Sequence, residues 1–370
     1  MRVLINGLQA GNRSGTGRYT LELVQALAAL PDAPELVLVW PKDIPPPEVG
    51  HSVEVRRYSA REANRLCFDQ FGIGRLREQC RADVLHYPAN IGPLARQRGV
   101  VLTVHDLSFM HHPEWFRTGR ALYYRQAARR SIRRATRIIA DSEATAEDVV
   151  RFTDTPRDRI DVVPLGVSPI FQPASGQARA AVRAKYGLPE RFFLYVGTLE
   201  PRKNLPRLVA AWSRVADDIP QDLVLAGRRG WKTRAIEKAL ADSPHAARVH
   251  RPGFIAQEDL PAALSAADAF VWPSLFEGFG LPPLEAMACG APVLTSAVSS
   301  LPEVAGGAAL LVEPEDVDAL AQALHALATD PAKRAILCQA GERRAQAFTW
   351  ARTAAWTAQS YARAAEEASA

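Results

Sequence analysis

Short, continuously apolar runs alternate with stretches of helical periodicity along the whole chain. In the first half the strand-like runs are Val3–Asn6, Leu36–Trp40, Val53–Arg56, Val84–His86, Val100–His105, Ile138–Ala140 and Ile160–Val163. In the second half they are Phe193–Gly197, Leu223–Ala226, Val249–Arg251, Ala269–Trp272, Val293–Ser296 and Ala309–Val312. A strand with one wet face alternates apolar and polar positions. Most of these runs do not, which predicts parallel strands covered by helices on both faces. Two successive β/α series predict an α/β protein of two doubly wound, Rossmann-like domains. The break falls in Pro164–Pro173, before the polar Ala174–Ala178, and puts the domains at 1–168 and 169–349. Helices are expected over Asp316–Ala328 and Pro331–Ala347, and a last, alanine-rich one after Trp350.

Composition narrows the class. A chain of 370 residues supports two cores. No run of about 18 apolar residues marks a membrane span, and the opening Met1–Gly7 reads as a strand rather than a signal peptide. Cys67, Cys80, Cys289 and Cys338 show no C-x-x-C spacing, so reduced, mostly buried thiols in a cytosolic protein are expected. The formal charge of +5 is lopsided: residues 1–165 hold 24 basic and 19 acidic side chains, residues 166–370 hold 21 of each. Arg117, Arg120, Arg125, Arg129, Arg130, Arg133, Arg134 and Arg137 lie between Trp115 and Ala140 with no acid among them. With Trp115, Phe116, Tyr123 and Tyr124, this segment suits a solvated helix face, an anionic lipid surface, an anionic acceptor or nucleic acid.

Ligands in doubly wound folds bind at the C-terminal ends of strands, and the chain's chemistry collects there. Pro273–Gly290 holds two carboxylates, Glu277 and Glu285, on either side of a glycine turn, Gly278-Phe279-Gly280. Leu281-Pro282-Pro283 suits a helix start, because the first helical N–H groups lack partners anyway. Glu285 is expected in the first turn. The exposed N–H groups and the positive helix end would face an anion. Gly197-Thr198-Leu199-Glu200-Pro201-Arg202-Lys203-Asn204 follows a strand and opens a helix. Cations at a helix start oppose the dipole, so Arg202 and Lys203 point to a bound diphosphate, whose growing charge on departure they would hold. Gly11–Tyr19, with Gly15 and Gly17, lets backbone approach a ligand. It is not a dinucleotide fingerprint, since Thr20 replaces the third glycine. His105 ends a strand and could touch a sugar or accept a proton, with Asp106 expected to orient it. Gly253-Phe254-Ile255 ends another strand.

Other motifs fail on position or spacing. Asp316-Val317-Asp318 spells a metal-binding D-x-D but starts a helix, which capping explains. In Gly227–Thr233 Trp231 separates glycine from lysine, which breaks a P-loop. His105, His111 and His112 lack metal-ligand spacing.

Taken together, Pro273–Gly290 resembles the E-x7-E signature of family 4 retaining glycosyltransferases of the GT-B fold, in which two Rossmann-like domains face across a cleft. Gly197–Asn204 resembles that family's basic phosphate motif, although many members carry an arginine where this chain has Thr198. Ala140-Asp141-Ser142-Glu143, Val163–Val167 and Phe348-Thr349-Trp350 extend the likeness over nearly the whole chain. The resemblance implies an acceptor-binding first domain completed by helix 350–370, and a donor-binding second domain. It implies catalytic roles for His105, Glu277, Lys203 and Arg202. Donor contacts would come from Gly15, Gly17, Thr198, Arg202, Lys203, Gly253, Phe254, Phe279, Gly280, Leu281 and Glu285. No cofactor and no metal are implied. His105–Phe109 with His112–Phe116 look like bacterial mannosyltransferases of polysaccharide assembly, which implies GDP-mannose as donor, a glycan or lipid-linked glycan as acceptor, and a cytoplasmic enzyme peripheral to the membrane. Alternatives are a dTDP- or UDP-sugar donor, a sugar-nucleotide epimerase of the same architecture, and a non-catalytic or nucleic-acid-binding protein using the arginines.

Overall fold

The computed structural model describes residues 1–11, 15–49, 53–58, 68–116 and 118–369. Asn12, Arg13, Ser14, Cys67 and Arg117 lie outside the described residues. The chain divides into two compact units, Met1–Gly166 with Phe348–Ala370, and Val167–Ala347.

The first unit contains seven strands: β1 (Arg2–Asn6), β2 (Glu35–Pro41), β3 (Val53–Tyr58), β4 (Val84–Tyr87), β5 (Val100–Val104), β6 (Arg137–Ala140) and β7 (Ile160–Val162). They form one parallel sheet in the order 3-2-1-4-5-6-7. β4, β5 and β6 are buried along their whole length, as strands packed on both faces must be. The second unit contains β8 (Phe192–Val196), β9 (Asp222–Ala226), β10 (Val249–His250), β11 (Ala269–Trp272), β12 (Val293–Ser296) and β13 (Leu310–Val312). Its parallel order is 10-9-8-11-12-13. All thirteen expected strands form. β10 stops one residue short of expectation, at His250, ahead of Pro252, which has no N–H for the ladder.

Both sheets are doubly wound, and each reverses direction once: between β1 and β4, and between β8 and β11. Helices leave opposite faces on either side of such a point, which opens a crevice at the strand ends. In the second unit the crevice is floored by aromatic rings. Trp272 stacks on Tyr195 at 5.1 Å and on Phe270 at 5.8 Å.

The closing helix Trp350–Ser369 belongs to the first unit. A Cβ on Gly166 would lie 2.2 Å from the Trp350 nitrogen, so only glycine lets this helix start there. Thr353 Oγ1 donates to the Pro164 carbonyl, and the Tyr361 hydroxyl lies 2.7 Å from His86 Nδ1 under the sheet.

Candidate functional site

The ends of β8 and β11 bring together the basic pair and the first carboxylate. After β8 the chain forms a single 3-10 turn, Pro201–Lys203, before the helix Leu205–Ser213. Arg202 and Lys203 therefore precede that helix rather than open it. The Leu275 N–H donates to the Arg202 carbonyl at 2.9 Å and ties the two strand-end loops. Lys203 Nζ donates to Glu277 Oε1 at 2.6 Å, and Arg202 Nη1 donates to Glu277 Oε2 at 2.6 Å. Trp272 Nε1 donates to Glu277 Oε1 at 3.1 Å, and the Lys203 ammonium sits 4.2 Å from the centre of the Trp272 ring. Glu200, also buried, takes the other edge of the Arg202 guanidinium at 3.2 Å.

Electrostatics follow from this packing. Burial alone would raise the Glu277 pKa, but Arg202 and Lys203 outweigh it and hold the carboxyl at about 2. Burial, then the neighbouring Arg202, lowers the Lys203 pKa against the pull of Glu277. A buried ammonium and a partly exposed guanidinium are thus held close together by Glu277, with Glu200 on the guanidinium as well. Glu200 and Trp272 were missed in the sequence. Glu200 lies inside the basic motif, and Trp272, ending a buried strand with a polar N–H, was the available signal.

The glycine turn is fixed from one side. Ser300 Oγ donates to the carbonyls of Glu277 and Phe279 at 3.0 and 2.8 Å, and the Glu277 N–H donates to Ser299 Oγ at 3.0 Å. Gly280 has φ +111°, a conformation open to glycine. It precedes the helix Leu281–Ala288, with Pro282 and Pro283 in its first turn. Glu285 is the fifth residue of that helix and lies in its second turn, not the first: the helix starts at Leu281 and a turn takes 3.6 residues. Phe279 and Glu285 are buried.

The loops after β9 and β10 join the same edge. The Gly227 N–H donates to the Gly253 carbonyl at 2.7 Å. A Cβ on Gly227, at φ +138°, would fall 1.9 Å from the Gly197 carbonyl oxygen. Phe254 is 57% exposed, with the Arg228 guanidinium 4.8 Å from its ring centre. Thr198 is exposed, and its carbonyl accepts from the Tyr195 hydroxyl at 3.0 Å.

His105, Gly15 and Gly17 belong to the first unit. Gly15 and Gly17 already lie in the helix Gly15–Ala28, Gly15 exposed and Gly17 buried. His105 directly follows β5. Asp106 does not orient its ring: that carboxylate accepts from the N–H and hydroxyl of Ser108 at 3.0 and 2.7 Å. Asp141, at the end of β6, does so instead, with Oδ2 2.7 Å from His105 Nδ1. Asn90 Oδ1 accepts from the His105 backbone N–H at 2.8 Å. Neighbouring parallel strands bring Asp141 to His105 across 36 residues, and its place in Ala140–Glu143 was the sequence signal.

The arginine segment is more engaged than its composition suggests. It forms the helix Thr118–Arg134, and Arg137 lies beyond it, buried in β6. Nε and Nη2, one edge of the Arg137 guanidinium, donate to the two oxygens of Asp161 at 2.8 Å, and Nη1 reaches Glu367 at 2.7 Å, so Arg137 is not part of a surface patch. Arg129 and Arg133 donate to the carbonyls of Phe152 and Thr153, the last turn of the helix Glu143–Thr153. Arg130 and Arg134 donate to the Leu94 carbonyl. Leu122, Tyr123 and Tyr124 remain exposed.

Asp316 caps the helix Val317–Thr329, accepting from the Ala319 N–H at 2.9 Å, and Asp318 pairs with Arg214. His111 pairs with Asp148, and His112 stacks on Trp115 at 3.9 Å. Among the described residues Cys80, Cys289 and Cys338 are free thiols, and no helix is long and apolar enough to cross a membrane.

Known proteins resemble this chain in sequence and fold. Residues 13–170 match the family described as Glycosyltransferase Family 4, and residues 179–344 match Glycosyl transferases group 1. The chain is 32% identical to the O-antigen chain mannosyltransferase B of Escherichia coli, over 94% of this chain and 96% of that one. Its fold is that of the sucrose-phosphate synthase of Thermosynechococcus elongatus, with TM-score 0.77, 24% identity and 98% of both chains covered. Anabaena HepE, solved in complex with UDP and glucose, superposes with TM-score 0.74 at 18% identity, covering 97% of this chain and 98% of that one. With two doubly wound parallel sheets and this likeness along its length, the chain belongs to the family 4 glycosyltransferases of the GT-B fold.

Proposed function

We propose that this glycosyltransferase transfers mannose from GDP-mannose, with retention of configuration, to a glycan or lipid-linked glycan during cell-surface polysaccharide synthesis. The observation that carries the proposal is the convergence of Arg202, Lys203 and Glu277 at the β8/β11 reversal. A leaving diphosphate gains charge as the glycosidic bond breaks. Cations already held in place at that spot stabilise the transition state more than the ground state. Lys203 and Arg202 take the phosphates in this reading, Glu277 lies next to the hexose, and Glu285 takes ribose hydroxyls. Gly253 and Phe254 flank the base, while Thr198, Phe279, Gly280 and Leu281 supply backbone and walls. The first unit, which carries Gly15 and Gly17, binds the acceptor in this reading. The pair of cations does the work that a metal does elsewhere, so none is required. The likeness to an O-antigen mannosyltransferase supports the sugar and the pathway class.

The enzyme would work in the cytoplasm, at the inner membrane face. The exposed Leu122, Tyr123 and Tyr124 beside Arg125 and Arg129 support a peripheral contact with anionic lipid. Incubation with GDP-mannose, dTDP-rhamnose and UDP-hexoses, each with a lipid-linked or glycan acceptor, tests the donor. Nucleoside diphosphate release with GDP-mannose alone is the expected result. Turnover of another donor corrects the sugar, and conversion of a sugar nucleotide without acceptor would make the protein an epimerase.

A further inference from the structure

The surroundings of His105 determine where its protons sit. Nδ1 lies 2.7 Å from Asp141 Oδ2, and Nε2 lies 3.3 Å from the Pro88 carbonyl oxygen. A carboxylate and a carbonyl are both acceptors. A neutral imidazole beside an ionised Asp141 has one N–H for two acceptors. It would leave a bare ring nitrogen against an oxygen lone pair on one side or the other. One extra proton removes the conflict: Nε2–H points at Pro88, and a second proton lies between Nδ1 and Asp141.

Among the described residues nothing nearby offers that proton an alternative. Asp141 is almost fully buried, and its Oδ1 has no hydrogen-bond partner among the described residues. Tyr19 packs at 4.7 Å across the ring, at 79°. Its buried phenol bonds Thr103 Oγ1 and is held neutral, burial first and Asp141 second pushing its pKa up. His86 on β4 lies beyond Thr103. Burial, then the charge of His105, holds its pKa at about 3, so it stays neutral. Asp106, the remaining acid, is turned to Ser108. Burial opposes a charge on His105, yet Asp141, by charge and hydrogen bond, leaves its pKa raised.

We propose that His105 and Asp141 hold one shared proton through the neutral range, so that His105 presents Nε2–H to an oxygen of the sugar nucleotide and does not serve as a base. Asp141 is the positioning residue. The long contact to Pro88 is one that a substrate hydroxyl or phosphate oxygen can replace. The role toward substrate rests on the glycosyl-transfer reading above; the protonation state does not.

Long-range 15N–1H correlation spectra of the full chain, with His105→Gln for assignment, read the ring directly. At pH 7.5 an imidazole of ordinary pKa is about 90% neutral. His105 is expected to keep protons on Nε2 and between Nδ1 and Asp141. A bare Nε2 at that pH overturns the proposal. Asp141→Asn removes the carboxylate that holds the proton. Donor turnover should then fall at least tenfold in kcat with KM changed less than about twofold, and the loss of activity on the alkaline side should start at least one pH unit lower. Asp141→Glu should restore part of both. An unchanged pH profile in a folded Asp141→Asn protein refutes the positioning role. If that variant does not fold, the spectra of the parent still decide the protonation. If no sugar nucleotide is turned over by the parent, the glycosyl-transfer reading falls, and the same spectra decide the proton independently.

Discussion

Replacing Glu277 by alanine separates its electrostatic duty from its place in the site. Three donors converge on its carboxylate: Lys203, Arg202 and Trp272. Its pKa falls from the ordinary 4.5 to about 2 on folding. At 1.36 kcal/mol per unit, the carboxylate's ionised form is favoured by about 3 kcal/mol in the folded state. The sign is that of a depressed carboxyl: the stabilisation is whole above pH 4.5 and disappears as pH falls through 2. Lys203 works the other way, since burial and Arg202 lower its pKa, so the triad contributes less than that figure. Removal of Glu277 leaves a buried ammonium beside a guanidinium. Breaking such a pair costs roughly 3–5 kcal/mol, or a Tm loss of about 6–20 °C in a unit of this size. Added nucleoside diphosphate brings negative charge back to the same cations. It should therefore raise the Tm of Glu277→Ala more than that of the parent, measured by calorimetry at equal ligand concentration. The double variant Glu277→Ala/Lys203→Ala should be more stable than Glu277→Ala alone and lose most of the ligand shift. A Glu277→Ala protein as stable as the parent, or one whose ligand shift is no larger, would refute the claim that this carboxylate offsets the charge of Lys203 and Arg202.

Other consequences are as specific. Lys203→Ala should cut turnover about 100-fold, near 3 kcal/mol of transition-state stabilisation, with Arg202→Ala milder; steady-state rates near normal would contradict the phosphate assignment. Glu285→Ala should weaken free nucleotide diphosphate in titration calorimetry, whereas Glu277→Ala should mainly slow transfer; equal effects would remove the division of roles. Activity should survive EDTA, and a loss restored by Mg²⁺ or Mn²⁺ would show that two cations do not suffice. Arg129, Arg130, Arg133 and Arg134 replaced together by glutamine should abolish sedimentation with anionic vesicles. The same change should cost about 2–4 kcal/mol of stability, at roughly 0.5–1 kcal/mol for each lost bond to a carbonyl, and parental co-sedimentation would end the membrane reading.

The strands were legible because parallel strands buried on both faces leave an uninterrupted apolar signature, visible in Val100–Val104 and Ala269–Trp272. The position of Arg202, Lys203 and Glu277 at strand ends was legible for the same reason. Their mutual pairing was not, because 74 residues separate Lys203 from Glu277 and only the sheet order brings them together. Adjacency misled at His105. Asp106 is next in sequence, but the chain turns there and its carboxylate goes to Ser108, while Asp141 arrives from the neighbouring strand. Composition showed eight arginines but not their partners. Five of those described, Arg129, Arg130, Arg133, Arg134 and Arg137, reach backbone carbonyls, acceptors that every residue carries and no sequence pattern marks.

The most direct measurement is titration calorimetry of GDP, UDP and dTDP into the parent protein and into Lys203→Ala. GDP is expected to bind the parent most tightly, and Lys203→Ala to lose that binding while keeping its fold by circular dichroism. Binding of GDP that is indifferent to Lys203, or no binding of any nucleoside diphosphate, would contradict the assignment of the β8/β11 crevice as the donor site.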